Sequence, residues 1–153
     1  MKSILIVIKP EQVVKILMGE KTAEILKTMP KCDLPIDVYI YCTKIGVSVE
    51  KDCGLGFPEP INGKVLAKFT LKRIDDISRK VMRLYAWNIS DLQIFDKPKE
   101  LSEFFHGFKL KNKGTILFDY DYEALRQRTL FGYEYSYPLK KAPRSWCYVE
   151  VRE

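Results

Sequence analysis

The feature that most constrains this fold is the opening of the chain, where an apolar run meets a proline and then helical periodicity. Residues 4–8 are apolar throughout, which is typical of a strand that is buried on both faces. Pro10 suits the first turn of a helix, because the N–H that proline lacks would have no partner there. A helix predicted over 10–18 has one apolar face, and Gly19 is a suitable stop. The chain is therefore predicted to begin with a core strand followed by a short helix.

Alternating apolar and polar residues predict several further strands. In residues 64–72 every second side chain is apolar, which indicates a half-exposed strand. The other predicted strands are 37–43, 82–95 with a break near Ser90-Asp91, and 145–151. Lys97-Pro98 is predicted to start a short helix that ends near Phe105. Several short strands with two or three short helices indicate the α+β class and a small mixed β-barrel.

Two stretches carry little periodicity. Residues 44–62 are rich in glycine and proline and are predicted to be a loop. Residues 106–137 interleave aromatic with basic and acidic side chains. Such rings can stack on bases, but tyrosine and phenylalanine also favour strands, and the acidic residues weaken the case for nucleic acid. We therefore favour a structural role for this stretch.

Composition predicts one domain over residues 1–153, because a chain of this length buries a sizeable core. The formal net charge of +6 favours an anionic partner, although small domains also carry such a charge for solubility alone. No apolar run approaches the ~20 residues that span a bilayer. The N-terminal apolar stretch is too short for a signal peptide. We expect a cytoplasmic protein without a membrane partner.

Metal and cofactor chemistry are not predicted. The four cysteines, Cys32, Cys42, Cys53 and Cys147, are far apart, whereas zinc ligands are usually paired at short spacing. Cys42 and Cys147 are predicted to pack as free thiols in strands. His106 is the only histidine, in a predicted loop, so a histidine-based mechanism would rest on it alone. Motifs that cradle phosphates or dinucleotides are absent from the sequence.

The run IKPEQVVKILMGEKTAEILKTMP resembles the opening of ASCH domains, members of the PUA-like superfamily. In these domains a strand, Lys-Pro, a helix and Gly-x-Lys-Thr-x-Glu-x-Arg follow one another. The resemblance continues in DVYIYCTK, NGKVLAKFTLKRID, YAWNISDLQIFDKPKELSEF and PLKKAPRSWCYVEV, and so covers most of the chain. The C-terminal segments are similar to small ASCH proteins of phages and Firmicutes. Leu26 replaces the family arginine, with Lys27 beside it, and 106–137 has the character of an insertion.

The resemblance implies a PUA-like fold with a cleft that binds RNA, a nucleotide or a modified nucleoside. Residues after the first strand and the helix would line this cleft, together with the segment that opens the last strand. The candidate binding residues are Lys9, Lys21, Thr22, Glu24, Arg144, Ser145 and Trp146. The lysines would hold a phosphate or a carbonyl, and the glutamate would accept hydrogen bonds from a base edge. Trp146 and Trp87 are each either core residues or platforms for a base.

An enzymatic alternative also follows from the resemblance, since small bacterial ASCH proteins with Gly-x-Lys-Thr-x-Thr hydrolyse acetylated cytidine. Their lysine activates the second threonine, a position that Glu24 occupies here. Thr22 is no simple substitute, because nearby positions of an extended chain face different ways. Lys21 and Glu24 are candidate catalytic residues only if the glutamate activates a water and the lysine stabilises negative charge. The alternative is a structural ion pair.

The distribution of basic residues leaves two interpretations open. Lys64, Lys68 and Lys72 recur at intervals of four, and Arg73, Arg79, Lys80 and Arg83 follow. They are either the solvated faces of strands or contacts with a phosphate backbone. The leading prediction is a module that recognises a single-stranded or modified base, in a phage or prophage protein. The alternatives are an amidohydrolase or ribonuclease at the same cleft, and a phage-encoded protein that modulates a host protein.

Overall fold

The computed structural model of the chain describes residues 2–44, 61–109 and 134–151. The protein belongs to the α+β class, as predicted, and is mostly strand. Among the described residues the elements, in chain order, are β1 (Lys2–Ile8), α1 (Pro10–Leu17), β2 (Ala23–Leu26), β3 (Ile36–Cys42), β4 (Val65–Asp76), β5 (Tyr85–Lys99), a 3-10 helix (Leu101–Glu103), β6 (Phe104–Lys109), β7 (Glu134–Pro138) and β8 (Trp146–Val151). Within the described residues, no helix has the length and the apolar character that crossing a membrane requires.

One sheet contains all eight strands of the described chain, in the order β2-β5-β4-β3-β1-β8-β6-β7. β1 and β3 run parallel, and the neighbouring pairs around them are antiparallel. The strands predicted at 4–8, 37–43, 64–72, 82–95 and 145–151 therefore correspond to β1, β3, β4, β5 and β8 of one sheet. The predicted barrel, however, is not closed. β2 pairs with β5 and β7 pairs with β6, and no ladder joins these two ends of the strand order within the described residues.

Both faces of the central strands are buried, as the apolar run in β1 predicts. Val38 and Ile40 of β3 join one hydrophobic cluster, which α1 covers. Tyr39 and Tyr41 of the same strand join a second cluster on the opposite face. Burying an aliphatic or aromatic side chain of this kind stabilises the fold by about 1.5–3 kcal/mol. The two clusters therefore fix β1 and β3 as the centre of the structure.

Two glycines stand where the backbone requires a positive φ. Gly19 has a φ of +79° directly after the end of α1, so the predicted helix stop is confirmed. Gly63 has a φ of +82° in the turn that Asn62-Gly63 predicts, before β4. A side chain at either position would be strained, because L-residues rarely adopt this conformation.

β5 departs from the predictions in two places. It continues through Ser90-Asp91 rather than breaking there. Its pairing with β4 shifts register in this region, and Asp91 has a φ of +52°. β5 also includes Lys97-Pro98, so the short helix predicted over 97–105 is wrong. Only a 3-10 turn follows it, with Glu100 N–H donating to Glu103 Oε2 at 2.6 Å.

The stretch predicted to be an insertion, 106–137, is described only at its two ends. Residues 106–109 lie in β6 and 134–137 in β7, and these strands pair antiparallel. His106 is therefore a strand residue opposite Tyr137 rather than a loop residue. Burial lowers the pKa of this histidine. Most of the predicted loop at 44–62 and most of the aromatic stretch lie outside the described residues.

Candidate functional site

The predicted site segments meet at one end of the sheet. β1 and β8 are antiparallel, with Ile6 opposite Trp146, so the end of β1 lies beside the start of β8. Val7 N–H donates to Ser145 O at 2.8 Å, which extends this pairing beyond β8. Lys9 follows β1 directly and is the N-cap of α1. The chain therefore brings Lys9 to the same end of the sheet as the Arg144–Trp146 segment.

Three polar side chains, Gln12 of α1, Lys21 and Glu24 of β2, contact one another near this end of the sheet. We call them the Lys21 cluster. Lys21 Nζ donates to Gln12 Oε1 at 2.9 Å and lies 2.7 Å from Glu24 Oε2. The two charged side chains are 23% and 16% exposed, so both are mostly withdrawn from solvent. Gln12 N–H also donates to Lys9 O, which ties the cluster to the end of β1.

Glu24 carries the least satisfied polar atom of the described chain. Its Oε2 is buried, and no donor meets it with hydrogen-bond geometry. The contact with Lys21 is therefore an ion pair in which Nζ approaches off the hydrogen-bonding direction. A buried carboxylate oxygen without a hydrogen bond costs free energy, which the ammonium group of Lys21 at 2.7 Å offsets by charge, so this atom keeps unused capacity to accept a hydrogen bond.

Two tryptophans lie on the sheet face that Glu24 shares. Glu24 is directly opposite Trp87 in the ladder between β2 and β5, and opposed residues point to the same face. Trp87 is fully buried, and its ring meets the ring of Trp146 edge-on, with centroids 5.3 Å apart. Trp87 is thus a core residue, which decides between its two interpretations. Trp146 is half-buried and packs against the same core.

Thr28 connects the two tryptophans. Trp87 Nε1–H donates to Thr28 O at 3.2 Å, and Trp146 Nε1–H donates to Thr28 Oγ1 at 2.8 Å. Nearby, Lys31 N–H donates to the Tyr148 hydroxyl at 3.0 Å. These bonds join the segment after β2 to β8, although four strands of the sheet order separate β2 from β8. The sheet is therefore curled, and side chains rather than a backbone ladder connect its two halves here.

The remaining candidates lie around the cluster and face solvent. Thr22 is exposed, and its carbonyl accepts a hydrogen bond from Ile89 N–H at 2.9 Å, which anchors the start of β2. Lys9, Arg144 and Ser145 are exposed as well. Within the described residues no ion pair joins Arg144 to the Lys21 cluster, so the fold brings it to the same end of the sheet without a direct bond.

Sequence reasoning missed two residues of this region. Gln12 fits the polar face of the predicted helix, so the sequence does not single it out. In the structure it is a half-buried residue in the first turn of α1, whose apolar residues pack on the core. Thr28 carries no sequence signal, because its role depends on two tryptophans that are distant in the chain.

The lysines that recur along β4 belong to ion pairs. Lys64 pairs with Glu100, Lys68 Nζ lies 3.8 Å from Asp37 Oδ2, and Lys72 Nζ lies 2.7 Å from Asp91 Oδ2. Exposed pairs of this kind contribute about 0–1 kcal/mol each. Of the two interpretations of the basic residues, the solvated strand face fits these three.

The cysteines behave as structural thiols. Burial raises the pKa of Cys42 to about 12 and that of Cys147 to about 11, which leaves almost no thiolate at neutral pH. In the described ranges no three histidine, cysteine, aspartate or glutamate side chains are grouped to hold a metal ion.

Comparisons with known proteins add no assignment. No protein-family model matches the chain, and no curated protein sequence matches it either.

Proposed function

We propose that the protein binds a single-stranded RNA or a nucleotide at the Lys21 cluster and recognises a base there. The observation that carries this proposal is Glu24 Oε2, a buried acceptor that receives no hydrogen bond from the described chain. Once the side chain turns to expose this oxygen, a bound base that donates an N–H to it would add a hydrogen bond to its ion pair with Lys21. The affinity would then come from an interaction that the free protein cannot make.

The chemistry of the cluster favours particular bases. An ammonium group has three donors, and Lys21 directs one toward Gln12, so it can still donate to a ligand. Glu24 beside it accepts. An acceptor next to a donor complements a base edge with an exocyclic amino group next to a ring acceptor, which is the pattern of cytosine and adenine. In the pose in which position 4 of a pyrimidine faces Glu24, uracil presents a carbonyl in place of the amino group of cytosine and is disfavoured.

The surroundings of the cluster suit the rest of a nucleotide. The exposed cations Lys9 and Arg144 lie at the same end of the sheet and can hold phosphate oxygens. Trp146 presents the exposed part of its ring beside them, and stacking of a base on tryptophan contributes about 1–3 kcal/mol. The net charge of +6 adds a long-range attraction for a polyanion.

The same geometry argues against catalysis as the first role of Glu24. A general base must be free to take a proton, whereas this carboxylate faces an ammonium group at 2.7 Å. The amidohydrolase and ribonuclease alternatives therefore require Lys21 to move away when a substrate binds. A protein partner remains the competing proposal if no nucleic acid or nucleotide binds.

The test is base preference, measured by fluorescence anisotropy with oligocytidine, oligoadenosine and oligouridine at low salt. We expect the wild-type protein to bind the cytidine and adenosine oligomers more tightly than the uridine oligomer. In Glu24→Gln, the amide can donate to uracil O4, so the preference narrows by about 1–3 kcal/mol, the usual value of one base-edge contact.

The matched control is Glu20→Gln, which removes the same charge from an exposed glutamate four residues earlier. It should leave the base preference unchanged. Equal affinity of wild type for all three oligomers, or equal effects of the two variants, would overturn the proposal that Glu24 recognises the base. Absence of binding to every oligomer would favour a protein partner instead.

A further inference from the structure

A second cationic surface lies outside the Lys21 cluster, at the turn between β4 and β5. We call residues 77–84 the hairpin tip. Ile77 N–H donates to Leu84 O at 3.0 Å, and Arg79 and Met82 bond to each other through both backbone groups, at 2.8 and 3.0 Å. Lys80 and Val81 form the turn itself. The hairpin tip is therefore an ordered two-stranded ribbon rather than an irregular loop.

The hairpin tip projects beyond its neighbours in the sheet. β3 accompanies β4 only along the pairs from Ile36↔Leu71 to Tyr41↔Val65, and β2 accompanies β5 only along 85–88. Within the described chain, residues 77–84 pair with one another and with no other strand. A four-residue arm rises about 13 Å, so the hairpin tip reaches well past the sheet edge.

Its charge is uniformly positive. Arg79, Lys80 and Arg83 are exposed, and residues 77–84 contain no aspartate or glutamate. None of the three forms an ion pair within the described residues, in contrast to the lysines of β4. The nearest acid, Asp76, accepts a hydrogen bond from Ser78 N–H on its Oδ1 at 2.9 Å, and hydrogen bonds from Ser78 together with the weaker attraction of Arg83 lower the pKa of this carboxyl.

The shape and the apolar residues suit an elongated ligand. Three cations and the turn line an open depression of about 530 Å³ at the hairpin tip, and one carboxylate, that of Asp76, lines it as well. Val81 is 97% exposed and Met82 is 51% exposed, at the end of the ribbon. Unpaired cations next to an apolar side chain are complementary to a nucleic-acid strand, whose phosphates carry charge and whose bases and sugars offer apolar surface.

The path from the Lys21 cluster leads directly to this surface. Glu24 is opposite Trp87, and Leu26, the last residue of β2, is opposite Tyr85 at the base of the hairpin. Val81 precedes Trp87 by six residues, which corresponds to about 20 Å along a strand. One extended RNA strand can therefore contact both places.

We propose that the hairpin tip is a second contact for single-stranded RNA, in which Arg79, Lys80 and Arg83 hold the phosphate backbone of a strand whose base occupies the Lys21 cluster. This inference rests on the proposed function of that cluster. It adds that a mononucleotide uses the cluster alone, whereas a longer strand also uses the hairpin tip. The salt dependence of binding should therefore increase with ligand length.

The test uses the full chain with cytidine monophosphate and with a single-stranded RNA of about 12 nucleotides, within the usual range of site sizes. In the combined variant Arg79→Gln, Lys80→Gln and Arg83→Gln, we expect the slope of log affinity against log salt for the RNA to become shallower by about 2, because each lost contact with a single strand contributes about 0.7. From about 50 to about 200 mM salt, the wild-type protein should lose roughly 20-fold more affinity than the variant. Affinity for cytidine monophosphate should not change.

The matched control replaces three exposed lysines elsewhere, Lys15→Gln, Lys97→Gln and Lys141→Gln, with the same change in net charge. It should leave the slope within about 0.5 of wild type. An equal change of slope in the two triple variants would overturn the proposal, because it would show an effect of net charge alone. Thermal unfolding of both variants confirms that these exposed substitutions leave the fold intact.

Three further outcomes would also overturn it. The first is tighter binding of duplex RNA or duplex DNA than of the single strand, with the same dependence on the three cations. The second is concentration-dependent dimerisation that Val81→Ser removes while RNA binding is unchanged, which would make the hairpin tip a contact between copies of the chain. The third is a triple variant that binds the RNA like wild type. Loss of the base preference through Glu24→Gln tests the Lys21 cluster separately, so a failure of the cluster proposal can be distinguished from a failure of the hairpin-tip proposal.

Discussion

The cationic side chains of the Lys21 cluster and of the hairpin tip differ in their exposure to solvent and in their partners. In the cluster, one ammonium group lies between a carboxylate and an amide and is 23% exposed. At the hairpin tip, Arg79, Lys80 and Arg83 extend into solvent and have no ion-pair partner within the described chain. The cluster packs beside a fully buried tryptophan, whereas the hairpin tip ends in an almost fully exposed valine.

This difference indicates two kinds of recognition. Groups that are fixed and partly desolvated can discriminate between ligands, because a mismatched partner leaves a buried polar atom without a hydrogen bond. Exposed and unpaired cations attract any phosphate and lose affinity as salt increases. The cluster is therefore suited to selecting a base and the hairpin tip to retaining a strand.

The largest expected difference between the two regions is in the free energy of unfolding, when the buried Trp87 beside the cluster is replaced. Trp87→Ala removes a fully buried indole and should lower the free energy of unfolding by about 3–5 kcal/mol. Val81→Ala at the hairpin tip should change it by less than about 0.5 kcal/mol, since surface substitutions usually do. Urea denaturation measures both. Similar losses for the two variants would contradict the distinction between a rigid cluster and a free tip.

A smaller effect is expected from the bond between Trp146 and Thr28. Trp146→Phe keeps an aromatic ring but removes the donor to Thr28 Oγ1, and should lower the free energy of unfolding by about 0.5–1.5 kcal/mol. Thr28→Val removes the acceptor. A double-mutant cycle in urea isolates the pair, and additive losses from the two substitutions would show that this bond does not stabilise the curled sheet.

The smallest expected effect is on acetylated cytidine, which the wild-type protein should leave intact. If the resemblance to ASCH amidohydrolases holds, Glu24 occupies the position of their nucleophilic threonine; in the structure it forms an ion pair with Lys21. Glu24→Thr introduces the Lys-Thr-x-Thr pattern of those amidohydrolases and is the instructive comparison. Chromatography of the nucleoside after incubation with each protein decides the matter. Robust deacetylation by wild type, or RNA cleavage that Glu24→Gln abolishes, would make the cluster an active site.

The elements that the sequence predicts well are those whose side chains alternate without competing signals. The apolar run in β1 and the alternation in β3 and β4 predict strands, and Pro10 and Gly19 predict the bounds of α1, because burial and backbone geometry act locally there. β2 is different. It is four residues long and polar residues flank it on both sides, so its pairing with β5 rather than a sequence pattern identifies it as a strand.

Long-range pairing also explains the errors. Pro98 indicates the start of a helix, but in β5 it lies beyond the stretch that β2 accompanies, so on that side its missing N–H breaks no ladder bond within the described residues. The open sheet could not be read from the strand pattern, since a barrel and an open sheet use the same alternation. For the site, an ion pair between Lys21 and Glu24 is one of the alternatives that the sequence leaves open, whereas the oxygen without a hydrogen bond and the role of Thr28 depend on the tertiary structure.

The most direct test of base recognition at the Lys21 cluster uses the two indole N–H signals in a nitrogen-15 correlation spectrum. The chain has only two tryptophans, and both donate their indole N–H to Thr28 beside the cluster. On titration with cytidine monophosphate we expect both signals to shift, uridine monophosphate to shift them less, and the amides of 79–83 to remain unchanged. Unchanged indole signals with shifts confined to the hairpin tip would contradict the central claim.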